Sequence, residues 1–455
     1  MNPTALTYRR IIHTWWPLAA SWLLMTAELP LIAAVIARLP HPEINLAAWG
    51  VVFSLAIIIQ SPSTMLLAAS TALSRDWDSY LKLRKFMLAI GAALTLLHAA
   101  LALTPLFDIV IVRLLALPPE IIEPVRLGLA LMIPWSWGTA YRRFQQGVLI
   151  RFDHSRVVIW GSLIRVGTDC LLLAIGYSLG SLPGVAVGAV GIIAGVLMED
   201  VYTGWRVQPT LRHQLRPAPP AAEPLTLRGF LNFYLPLAAT VLLLLLVQPL
   251  VAAALSRMPN PLESLAVWPV VFGLLTMWQS VGIAYNEAVI ALLDDARAVT
   301  VLRRFTWGLG GLASLLLLAM ALSPLAALWF EAVAGLTPAL AELAREALLL
   351  GSLLPLLRVL HSWFQGIITH SRHTRGISEA VALSLLVSAM LLSGGVLWGG
   401  LGGVFVGVLA MTSGYTVQAL WLAHRARPAI RGLELRDAAL PGPVPVPTHQ
   451  QVESP

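Results

Sequence analysis

The sequence predicts an all-α integral membrane protein of twelve transmembrane helices, arranged as two parallel six-helix repeats with both termini cytoplasmic. Composition, the spacing of apolar runs and an internal repeat carry that prediction. Of 455 residues, 58% are hydrophobic and 12% charged, with mean hydropathy +0.78. Soluble domains hold nearer about 25% charged residues, and one water-soluble core cannot hide this much apolar surface. The bilayer is therefore part of the solvent, and sixteen Trp suit its interfaces.

Apolar stretches of about 20 residues mark helical spans. Twelve are read: 14–37, 44–73, 86–112, 126–149, 157–177, 183–205, 232–256, 264–293, 305–330, 345–369, 376–397 and 401–424. Pro17, Pro30, Pro62, Pro105 and Pro134 predict kinks in the first half, which membrane helices tolerate. Lys and Arg set the orientation. One side carries 21 of the 30 basic residues, the other carries five (Arg38, Arg113, Arg126, Arg257, Arg345), and four fall within spans. That bias predicts cytoplasmic termini in a multi-pass protein of the inner or plasma membrane. It also explains the net charge of +7 without nucleic acid as a partner.

A shift of 219 residues aligns the two halves without a gap from about 16 to 206. RLPHPEINLAAWGVVFSL at 38–55 meets RMPNPLESLAVWPVVFGL at 257–274, and His154-Ser155-Arg156 meets His373-Thr374-Arg375. The predicted organisation is an N-terminal lobe over 1–207, a cytoplasmic linker over 208–228, a C-terminal lobe over 229–426 and a disordered cytoplasmic tail over 427–455. Six spans per copy give both copies the same orientation, so a pseudo-two-fold axis runs along the membrane normal. Two such bundles enclose a cleft at mid-membrane, which rocking exposes to each side in turn.

Enzyme chemistry finds no support. Cys170 is the single cysteine, and no metal, phosphate-binding or nucleophile motif is present. No cofactor is expected, and a monomer is. Positions that match across the repeat read as scaffold: Pro30 with Pro249, Arg38 with Arg257, Trp49 with Trp268. Polar residues inside spans that break the symmetry are the functional candidates, because charge in lipid is costly. Glu28 meets Val247 and lies beside the Pro30 kink, where it suits a proton or Na⁺, or an ion pair within its lobe. Arg142 and Arg143 meet His361 and Ser362, and snorkelling to water competes with a binding role for Arg143. Arg358 meets Thr139 and lies roughly 18 Å from either helix end, with His361 one turn on. Arg165 and Asp169 meet Ser384 and Ser388; their spacing favours a structural ion pair, with ion coupling at Asp169 as the functional reading. Asn286 and Glu287 are interfacial or cavity residues, and Glu199 and Asp200 are expected to be solvated. Four interior arginines against three or four acids predict a net positive cavity between the lobes, which suits an anion.

The kinked first helix with its acid, Pro17-Leu18, and LAAWGVVFSLAIIIQSPSTMLLAASTALSRD at 46–76 resemble the multidrug/oligosaccharidyl-lipid/polysaccharide (MOP) exporter superfamily. Within it the chain is most similar to the progressive ankylosis (ANK) group and neighbouring MatE-like proteins, whose second helix has ASYGLAYSL and a later SKRD. The resemblance implies a V-shaped, MATE-like carrier working by alternating access. The ankylosis group implies export of anionic metabolites; the multidrug branch implies Na⁺- or H⁺-coupled efflux of cations through acids of the first lobe. The expected function is export of a small anionic or amphiphilic solute through a central cationic cavity. Alternatives are a flippase for a lipid-linked headgroup, coupled multidrug efflux, or a scaffold that transports nothing.

Overall fold

The computed structural model describes residues 6–220, 224–371 and 375–438, and those residues form helices without a strand. The helical spans are α1 (Tyr8–Ile36), α2 (Pro42–Leu73), α3 (Trp77–Leu103), α4 (Pro119–Leu131 and Ile133–Arg151), α5 (Ser155–Leu179), α6 (Gly184–Leu215), α7 (Leu227–Leu255), α8 (Pro261–Leu292), α9 (Ala298–Leu322), α10 (Pro338–His370), α11 (Arg375–Trp398) and α12 (Gly403–Ala438). Among the described residues, eleven of these are long and apolar enough to cross a bilayer. The other is α4, whose second half carries Arg142, Arg143, Gln145 and Gln146.

The duplication reaches the helix breaks. α1 breaks at Ala27 and α7 at Leu246, 219 residues apart. Pro30 and Pro249 follow, each lacking an N–H and crowding the carbonyl four residues back. α3 and α9 end at Thr104 and Ser323, both extended at the residue before a proline. Short π-helical turns follow, at Asp108–Leu114 and Leu328–Val333. The spans read at 86–112 and 305–330 are corrected accordingly to 77–103 and 298–322. Charged residues such as Lys82, Arg84 and Lys85 sit in the first turns of α3, where interfacial water solvates them. The expected tail is corrected too: α12 continues to Ala438, so 427–438 are helical. The linker begins later than 208, since α6 ends in a π-helical turn at Leu211–Leu215. Residues 221–223, Arg372 and His373, and the proline-rich end over 441–455, lie outside the described residues.

Both ends of the chain meet one loop. The Leu6 N–H donates to the Ala296 carbonyl at 3.2 Å, and Arg436 donates to the Leu293 and Asp295 carbonyls at 2.8 and 3.3 Å. This end of the bundle is the terminal face. The lobes cross where Gly50 of α2 meets Pro269 of α8, again 219 residues apart; a Cβ at Gly50 would stand 3.3 Å from the Pro269 ring.

The apolar core is one body at one end and two at the other. A single cluster joins both lobes through α2 and α8 toward the face opposite the termini. Near the terminal face it divides, into one cluster in the C-terminal lobe and one in the N-terminal lobe. The first half of each leading helix docks on the other lobe. Trp15 of α1 donates to the Val281 carbonyl of α8 at 3.0 Å, and Tyr234 of α7 to the Pro62 carbonyl of α2 at 2.6 Å. Both donor and acceptor positions are related by the same 219-residue shift.

Candidate functional site: a charged cavity in one lobe

The break in α1 places Glu28 at the start of its second half, beside α5 and α6. There it joins a network of buried charge. Arg165 of α5 stands 2.5 Å from Glu28, 3.4 Å from Glu199 and 3.7 Å from Asp169. Arg142 of α4 pairs with Glu199 at 2.7 Å. Gln146 donates to the other Glu199 oxygen at 2.9 Å. The Glu199 side chain is 0% exposed, Asp169 1%, Glu28 10% and Arg165 12%. Charges this deep persist only when paired, and Glu199 holds two arginines at once.

The network lines a cavity of about 450 Å³, whose wall includes Glu28, Gln60, Thr139, Arg142, Arg143 and Arg165. Arg143 differs from the other two arginines. It makes no ion pair among the described residues, and its one hydrogen bond is a long 3.4 Å contact to Gln146. The Asp169 carboxyl, with Arg165 as its ion-pair partner at 3.7 Å, lies against Glu28 as well. Asp169 fits only because position 195 is glycine: a Cβ there would lie 1.7 Å from its Oδ1 and 2.8 Å from the Arg165 carbonyl.

The structure brings together Glu28, Arg142, Arg143, Arg165 and Asp169, and places the other sequence candidates elsewhere. The wall of this cavity comes entirely from residues 21–196, so it lies within the N-terminal lobe and not between the lobes. His361 is buried in α10, hydrogen-bonded to the Tyr415 carbonyl at 3.0 Å and stacked on that ring at 5.1 Å. Arg358 packs against Gly282 of α8, its Nε buried and unpartnered, outside the cavity wall. Asn286 is half-buried and Glu287 exposed, and neither lines the cavity.

Glu199 and Asp200 correct the expectation of solvated residues: their exposures are 0% and 8%. They bring the ionisable groups around this cavity to three arginines and four carboxyls, of which the arginines and Glu28 line its wall. The repeat held the signal for both. Glu28, Arg142, Arg143, Arg165, Asp169, Glu199 and Asp200 meet Val247, His361, Ser362, Ser384, Ser388, Gln418 and Ala419. The second lobe builds the same six-helix arrangement with no acid and no permanent cation at these positions. Gly414 is the counterpart of Gly195, and there the close neighbours are the Ser384 and Ser388 hydroxyls.

Comparison with family models finds no match to the sequence, and comparison with curated proteins finds none. Solved structures do match. A multidrug resistance MATE family transporter of the MOP superfamily, in an inward-facing conformation, superposes with a TM-score of 0.75 at 13% identity, covering 92% of this chain and 99% of that one. This is the MOP transporter fold. The lipid II flippase MurJ, in an inward closed conformation, superposes with a TM-score of 0.67 at 11% identity, over 93% of this chain and 91% of that one. An outward-facing MATE transporter gives 0.60 at 16% identity, over 94% and 96%.

Proposed function

We propose that this chain is an alternating-access carrier that exports a small anionic or amphiphilic solute, bound in the N-terminal lobe and coupled to H⁺ or Na⁺. The observation that carries the reading is the confinement of the charge network to one of two duplicated lobes. A scaffold has no use for seven ionisable groups around a cavity when its twin lobe folds without them. Arg143 meets the solute anion, because it alone among the cavity arginines has no carboxylate partner, and a guanidinium binds carboxylate or phosphate through two parallel hydrogen bonds. Glu28 and Asp169 share Arg165. Loading either carboxyl with a proton, or Glu28 with Na⁺, loosens Arg165 and raises the positive charge offered to the anion, so ion and solute binding are coupled through Arg165. The Lys and Arg bias makes the terminal face cytoplasmic, so a carrier that opens there loads from inside.

The test is thermal stability of the purified protein with citrate, a nucleotide, pyrophosphate and cationic dyes, repeated in Arg143→Ala. An anion at about 100 times its Kd stabilises by about 2.7 kcal/mol, and Arg143→Ala is expected to remove that gain. Stabilisation by the dyes alone, unaffected by Arg143→Ala, contradicts the proposal. A second reading, a flippase for a lipid-linked headgroup, is favoured by an apolar groove of about 470 Å³ between the lobes, lined by Pro30, Leu31, Ala34, Met277, Trp329 and Val333. Lipid-linked pyrophosphate then stabilises where free pyrophosphate does not.

A further inference from the structure

The carrier mechanism leaves two arginines unused, and they hold together the face opposite the termini. Arg38 ends α1 and Arg257 ends α7, 219 residues apart. Each reaches from its own lobe into the other. The Arg38 guanidinium donates to the Ala34 carbonyl of its own helix at 2.7 Å and to the Ala332 carbonyl of the C-terminal lobe. That of Arg257 donates to the Ala253 carbonyl of its own helix at 2.6 Å, to the Leu115 carbonyl of the N-terminal lobe at 3.1 Å and to the neighbouring Leu114 carbonyl. Ser256 adds a bond to Leu115.

The acceptors lie within two residues of equivalent positions, since Ala332 corresponds to Arg113. They lie at the C-terminal ends of the two π-helical turns, Leu328–Val333 and Asp108–Leu114. Carbonyls at a helical C-terminus have no partner within the helix and carry partial negative charge. Each turn is closed by a residue in the left-handed conformation, Gly335 at φ 76° and its counterpart Ala116 at φ 52°. Gly335 packs so closely on Arg38 that a Cβ would stand 2.9 Å from its guanidinium nitrogen. On the arginine side, His41 at φ 54° and Asn260 at φ 51° turn the chain three residues later. Neither arginine has a carboxylate within ion-pair distance among the described residues, and both are exposed.

We propose that Arg38 and Arg257 are paired latches that hold the face opposite the termini shut and must both release before it opens. A guanidinium bridging its own helix to a neutral carbonyl suits a reversible contact. When it lets go, water takes over the exposed groups, and no buried carboxylate is left without its counter-charge. The pseudo-two-fold axis makes the two latches equivalent. The inference rests on the alternating-access reading only in requiring that this face opens at some stage.

The experiment uses the full chain in proteoliposomes, with Cys170→Ala removing the single cysteine and Ala334→Cys as reporter. Ala334 is 4% exposed and lies between the lobes beside the Arg38 latch. A membrane-impermeant maleimide is applied from the side opposite the termini. Arg38→Ala/Arg257→Ala is expected to raise the labelling rate about tenfold by populating the open state, with each single variant part-way. Arg38→Lys/Arg257→Lys keeps the charge without the fork and falls between. Unchanged labelling in folded double variants overturns the proposal. Where the double alanine variant does not fold, the single variants decide. Failure of both singles to fold also overturns it, because releasable contacts are not folding determinants. The readout needs no solute, so a failed carrier reading leaves this result standing, and the reverse holds.

Discussion

Arg165→Ala is expected to destabilise the protein by about 3–5 kcal/mol, the range for removing one member of a buried ion pair. Its guanidinium stands within 4 Å of Glu28, Asp169 and Glu199, at 2.5, 3.7 and 3.4 Å. Only Glu199 has another cationic partner, Arg142. Without Arg165, Glu28 and Asp169 are left as buried carboxyls with no counter-charge. Lysine restores a point charge but not a planar fork facing three acids, so Arg165→Lys recovers only part of the loss. Adding Glu28→Val and Asp169→Ser to Arg165→Ser, the residues of the twin lobe, removes the orphaned acids and is expected to restore most of the stability. Thermal unfolding of the purified variants reads all three. A loss below about 1 kcal/mol for Arg165→Ala, the scale of an exposed pair, contradicts a buried network centred on Arg165.

Glu28→Gln acts differently, because glutamine still accepts a hydrogen bond from Arg165 but binds neither H⁺ nor Na⁺. Transport driven by an ion gradient is expected to fall at least about tenfold and to lose its dependence on pH or Na⁺, while anions still stabilise the protein through Arg143. Vesicle transport with and without each gradient separates the two effects. Unchanged coupling removes Glu28 from the mechanism.

The sequence shows the membrane class directly, because apolar composition leaves no soluble alternative, and the duplication because one register holds over six spans. The breaks at Ala27 and Leu246 follow from matched prolines. Helix ends were harder to read. The π-helical turns look apolar enough to extend α3 and α9, and interfacial Lys and Arg hide the true starts. That same effect concealed part of the site. Glu199 stood six residues from the end of the expected 183–205 span, but α6 continues to Leu215. It therefore lies roughly 24 Å from the helix end at about 1.5 Å per residue. Its counterpart Gln418, and Ala419 opposite Asp200, break the repeat as clearly as Val247 does opposite Glu28. Arg358 illustrates the converse. Depth along α10 singled it out, but depth does not say which way a helix face turns, and it packs toward α8 rather than into the cavity.

The most direct measurement converts the first lobe's charges to those of the second: Glu28→Val, Arg142→His, Arg143→Ser, Arg165→Ser, Asp169→Ser, Glu199→Gln and Asp200→Ala in one chain. Replacing a complete buried charge network with neutral side chains is often neutral or stabilising by about 1–4 kcal/mol. The variant is expected to fold with an unfolding temperature at or above that of the parent, and to move no solute in proteoliposomes. Transport that survives, or a chain that no longer folds, would show that these charges serve the architecture and not the cargo.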